Sequence, residues 1–200
     1  MSGIINVLHP SVEPADKKEI LKYAGVRGTA DAKTDELLNE CLSFVEGKLK
    51  YALCYKRFDV TPTENGFDLG FATVKSELVK KRLEGCSEII LFAATVGIET
   101  DRLISRYSSV SPARAHMIQA IGAERIEALC DTFENILKNE GINVCPRFSA
   151  GYGDLPIDLQ KDIFKVLDCP KNIGLTLNES LLMSPTKSVT AIIGIKRGLK

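Results

Sequence analysis

Tryptophan is absent from this chain, histidine occurs only as His9 and His116, and no Cys-x-x-Cys pair exists. Zinc-ligand spacing is therefore missing, although cysteines stand at 41, 54, 86, 130, 145 and 169. Neither histidine has a Ser, Cys or Asp at a spacing that suggests a catalytic triad. Net charge is also lacking: 26 basic side chains balance 26 acidic ones, with no long basic run. That balance argues against a dedicated nucleic-acid binder, which needs a phosphate-neutralising face. No apolar run approaches the roughly 18 residues of a membrane span. The stretch Met1 to Asn6 has neither the basic nor the long apolar region of a signal peptide. A cytoplasmic protein with reduced core thiols is expected, without membrane or nucleic-acid partners. Gly-x-Gly-x-x-Gly and Gly-Lys-Ser/Thr runs are missing too, so Ala93 to Gly97 reads as a close-packed strand–helix junction, not a nucleotide fingerprint.

What is present is an ordinary globular composition, 44% hydrophobic and 26% charged. Lys17 to Ala24 reads as a helix stopped by Gly25, and Thr34 to Leu49 has helical apolar spacing. Tyr51 to Val60 reads as a strand that pairs, across a Glu64-Asn65-Gly66 turn, with Phe67 to Phe71. Val74 to Leu83 is a helix candidate closed by Gly85, and Glu88 to Val96 is a buried strand. Ser111-Pro112 opens the longest helix as N-cap and N1, running to Asn139 with Gly141 beyond. Val144 to Ser149 is extended, Asp158 to Leu167 helical, and Leu175 to Met183 and Ser188 to Ile195 are strands. Mixed order without βαβ alternation implies an α+β fold, a mixed and largely antiparallel sheet flanked by helices.

The segment Arg147-Phe148-Ser149-Ala150-Gly151-Tyr152 carries the most chemistry. A guanidinium offers a fork to a carboxylate, glycine lets a ligand approach the main chain, and the Tyr152 ring can flank a purine or a cation. An ordinary turn with a surface arginine has the same composition. Downstream, Leu177, Ser180, Met183, Pro185 and Ser188-Val189 form a second pattern. Together the two resemble the activation domain of vitamin B12-dependent methionine synthase, over about 50 residues from Arg147 to Ile195. The resemblance covers residues 86–200 as the ligand-binding part, and only weakly 1–85, within one domain of C-shaped α+β architecture.

The resemblance implies an S-adenosylmethionine site. Arg147 would clamp the ligand carboxylate, Ser149 and Gly151 would offer backbone contacts, Tyr152 would flank the adenosine or sulfonium, and Glu127 would take a polar contact. It implies no catalytic acid, base or nucleophile. Cobalamin would come on a corrinoid-bearing methionine synthase subunit, since the Asp-x-His-x-x-Gly corrinoid motif is absent. A flavodoxin-like donor would supply the electron for reductive methylation of cob(II)alamin. The implied protein is thus a stand-alone reactivation module within a methyltransferase system of methionine biosynthesis. Gly153 departs from the family proline, and the family's N-terminal aspartate and late tyrosine find no counterpart. A docking protein for a corrinoid methyltransferase that does not bind S-adenosylmethionine stays open as the alternative. So does an unrelated S-adenosylmethionine-dependent methyltransferase.

Overall fold

The computed structural model describes residues 4–64 and 66–196. In chain order the elements are β1 (Asn6–Leu8), α1 (Lys17–Tyr23), α2 (Ala32–Val45), β2 (Ala52–Asp59), β3 (Thr61–Thr63), β4 (Gly66–Asp68) and β5 (Thr73–Val74). They continue with α3 (Glu77–Arg82), β6 (Cys86–Thr95), α4 (Glu99–Tyr107), α5 (Pro112–Asn139), α6 (Leu159–Leu167), α7 (Cys169–Ile173), β7 (Thr176–Leu177), β8 (Met183–Ser184) and β9 (Ser188–Lys196). The main sheet has the order β1-β2-β6-β9, antiparallel throughout.

Helices cover both faces of that sheet, which is why β6 is apolar almost without alternation. Leu53, Ile90, Phe92, Ala94, Ala191 and Ile193 pack against the second half of α5, through Ile126, Leu129, Cys130 and Phe133. The intervening residues Cys54, Ile89, Leu91, Ala93 and Ile192 face the opposite way, into a core with Ile163, Phe164 and Leu167 of α6. The first half of α5, with Met117, Ile118 and Ile121, packs instead against Ile20 of α1, Leu38 and Cys41 of α2, and Leu103 of α4. The α+β class and the antiparallel sheet agree with the sequence reading.

Several boundaries differ from it. The helix expected to reach Leu49 stops at Val45, because Gly47 turns left-handed at φ 68°. Val74, expected to open a helix, ends the strand β5, and α3 begins only at Glu77. The expected turn at 64–66 does join a hairpin, but its arms are β3 and β4, while β2 pairs with β1 and β6. Asn65 of that turn lies outside the described residues. Leu175 to Met183 is two short arms, β7 and β8, because Asn178 accepts from the Leu182 and Leu181 amides and bends the chain back. Ser111 and Pro112 stand at the N-cap and in the first turn of α5 as expected, but the Ser111 hydroxyl makes no capping bond and accepts instead from Arg114 Nη1 at 3.2 Å. All the cysteines are free thiols, five of them buried, with Cys86 partly so.

Candidate functional site

The segment before Gly151 runs along the outer edge of β9. Phe148 exchanges both backbone hydrogen bonds with Ile192, at 3.0 and 2.8 Å, and Cys145 donates to Gly194 at 2.8 Å. Extended backbone alternates its side chains, so Phe148 enters the core with α6 while Arg147 is thrown toward α5. There it meets three carboxylates on one helical stripe. Nη1 donates to Asp131 at 2.7 Å and to Glu134 at 2.6 Å, and Nη2 donates to Glu127 at 2.6 Å.

This corrects the expectation of a free arginine fork. Burial works against the charge, yet the bonds from Glu134, Glu127 and Asp131 outweigh it and hold the guanidinium firmly protonated. Three of its five N–H groups are used; the Nε–H and one Nη2–H carry no partner among the described residues. Three carboxylates against one guanidinium leave the cluster acidic. Its field favours a cation. Beneath it, burial foremost pushes the Cys130 thiol up to about 12, so that sulfur is a packing group and not a nucleophile.

After Ala150 the chain turns through Gly151, whose φ is 91°. Its N–H donates to Leu155 at 2.9 Å, and a Cβ there would stand 2.9 Å from Ile157 Cδ1. Gly151 is thus a turn residue with its amide already spent, and it does not line the neighbouring cleft. Asp154 fixes the turn by taking Ser76 Oγ at 2.6 Å, the Glu77 amide at 2.6 Å and the Leu78 amide at 3.1 Å. Those bonds, the Ser76 hydroxyl first, hold its carboxyl below the usual aspartate range.

The cleft itself has a volume of about 400 Å³, the size of a small-molecule site. Arg147, Glu127, Ser149 and Tyr152 line it together, as do Met183, Ser188 and Val189 of the downstream pattern. The Tyr152 ring is 68% exposed at this wall. Gln160 of α6, Thr190 of β9, and Leu78 and Arg82 of α3 also line it, and none of these was singled out from sequence. The signal for Gln160 was available: it shares the stripe 160, 163, 164, 167, otherwise Ile, Phe and Leu. A larger cleft of about 940 Å³ opens between residues 11–17, α2 and Arg125. Its one buried cation, Arg125, is already consumed by Glu124 and the carbonyls of Glu13 and Pro14. Among the described residues no cluster of His, Cys, Asp and Glu could hold a metal ion, and no helix is long and apolar enough to cross a membrane.

An antiparallel sheet between helical layers, with an acidic and partly apolar cleft of small-molecule size beside its last strand, defines the chain as an α+β domain. Residues 71–197 match the family described as vitamin B12 dependent methionine synthase, activation domain, and the chain belongs to that family. The fold is also that of the solved MetH reactivation domain bound to AdoHcy, at TM-score 0.72 and 17% identity, covering 100% of this chain and 80% of that one. No curated protein matches the chain.

Proposed function

We propose that this chain is a reactivation module that holds S-adenosylmethionine in the cleft beside Arg147, for methyl transfer to cobalamin on a separate corrinoid-bearing methionine synthase subunit. The observation that carries the reading is the convergence of Arg147, Glu127, Ser149 and Tyr152 on one cleft of ligand size, in a chain of the activation-domain family. In the reaction one electron, from a flavodoxin-like donor, reduces cob(II)alamin, and the methyl leaves the sulfonium to give methylcobalamin and S-adenosylhomocysteine.

This chain's residues then have only to bind and orient. The acidic cluster of Glu127, Asp131 and Glu134 attracts the ammonium and sulfonium charges. The two free N–H groups of Arg147 take the ligand carboxylate, so one guanidinium holds both cluster and ligand. Tyr152 lies against the adenosine or the sulfonium, while Ser149 offers its main chain. No proton need move, which suits a cleft without a nucleophile–base pair.

The ion pairing of Arg147 with three carboxylates favours one other reading, a docking protein that meets a corrinoid partner without S-adenosylmethionine. Tyr152, Leu182 and Ile157, exposed at 68%, 66% and 42%, would then form the contact surface. Calorimetric titration separates the two. The native chain is expected to release or absorb heat with S-adenosylmethionine, and Arg147→Ala is expected to abolish it. Silence at about millimolar ligand, weaker than any useful affinity, transfers the chain to the docking reading.

A further inference from the structure

Three buried side-chain oxygens lack a hydrogen-bond partner among the described residues: Thr100 Oγ1, Gln160 Oε1 and Thr190 Oγ1. Gln160 and Thr190, 6% and 2% exposed, line the same cleft. A buried oxygen without a donor costs stability, and each position has an obvious apolar replacement. Methionine at 160 would complete the stripe of Ile163, Phe164 and Leu167, and valine at 190 would fill the volume of threonine. Folding alone gives neither group a use.

Their place in the fold suggests the use. Alternation along β9 sends Val189, Ala191 and Ile193 toward α5 and sends Thr190 with Ile192 toward α6. Gln160 reaches the cleft from α6 itself. The cleft therefore has two chemically different sides, an ionic one toward α5 with Glu127 and Arg147, and one toward α6 whose buried polar groups, Gln160 and Thr190, are neutral, with the exposed Arg82 of α3 at its rim. An S-adenosyl ligand has the same division, with a charged amino-acid half and an uncharged nucleoside half.

We propose that Gln160 and Thr190 recognise the nucleoside half. The Gln160 carboxamide oxygen accepts from a neutral N–H or O–H donor of the adenosine, and the Thr190 hydroxyl exchanges a hydrogen bond with it. The assignment rests on the reading that this cleft takes an S-adenosyl ligand, and it names the residues that discriminate a nucleoside from a bare amino acid.

Thermal unfolding of the full chain, alone and with adenosine or S-adenosylhomocysteine at millimolar concentration, tests it on native protein, Gln160→Met and Thr190→Val. The ligand-free Gln160→Met variant melts no lower than native, and about 2 °C higher if the lost oxygen was a burden. Both variants bind both probes about tenfold more weakly. A Gln160→Met protein that melts lower and binds as native does shows the amide to be structural, and the inference falls while the S-adenosyl reading stands. Adenosine binding that depends on Gln160, with no S-adenosylhomocysteine binding, leaves the inference standing and removes the larger reading. Failure of both probes on native protein removes both.

Discussion

Arg147 concentrates the residue-scale chemistry, because a single guanidinium answers three carboxylates from one helix face. Arg147→Lys replaces a planar fork by a point charge that cannot reach all three with good geometry. It is expected to lower stability by about 1–2 kcal/mol in denaturant unfolding, with most of the loss from Glu134, the least exposed of the acids. Glu127 has the opposite test. It is half exposed and contributes one of the negative charges of the cleft. Glu127→Gln should weaken S-adenosylmethionine by about threefold more than S-adenosylhomocysteine, since only the former carries a sulfonium and the half-exposed charge is screened. Equal losses for the two ligands would mean that Glu127 serves only their shared groups. Arg147 and Glu127 were legible in the sequence through their motif. Their mutual bond was not, because Glu127 and Arg147 lie 20 positions apart and only the pairing of residue 148 with β9 fixes their approach.

At the scale of elements, the turn from Gly151 to Pro156 sets the cleft wall, and two features hold it. Gly151 sits at φ 91°, a conformation that a β-branched residue adopts only under strain. Gly151→Val is expected to cost about 1–3 kcal/mol in unfolding and to loosen the turn, a structural effect and not the mere blocking of a ligand. The second feature is the carboxylate of Asp154 across the start of α3. Its folded value is depressed, so its contribution is complete above the ordinary aspartate value near 3.9. The contribution is lost as the pH falls below that value and through the lowered one. Hydrogen exchange at the Leu78 amide should thus be flat from about pH 7 to 5, after allowing for the intrinsic rate. Protection should fall below about pH 4, and Asp154→Asn should remove it at neutral pH. Long periodic elements such as α5, α6, β6 and β9 were readable because burial imposes their pattern over many residues. Elements of two to five residues, such as β1, α7 and the β7–β8 hairpin, were not. Their existence depends on pairing partners or on a turn such as that at Asn178, not on local periodicity.

The whole molecule hangs on α5, a helix of 28 residues that serves two cores in succession. Between the two stretches, Glu124 and Arg125 form a pair with side chains only 7% and 6% exposed. Arg125 also donates to the carbonyls of Glu13 at 2.6 Å and Pro14 at 3.3 Å, and Glu124 accepts from the Asp16 amide at 3.2 Å. Asp16 in turn caps α1, so this one pair ties the N-terminal segment and α1 to the helix that carries Glu127. Burying two charges is costly, and their mutual attraction roughly repays it; removing one partner leaves the other charge stranded. Glu124→Leu is therefore expected to cost about 3–5 kcal/mol, while Glu124→Leu with Arg125→Met costs far less, because no lone charge stays buried. Urea unfolding of the two variants measures the difference. A double variant as unstable as the single one would show that the backbone contacts of Arg125 with Glu13 and Pro14, rather than charge pairing, hold the N-terminal segment to α5. If the double variant recovers stability but loses protection in α1, the pair's role is to fix where the N-terminal layer docks on α5.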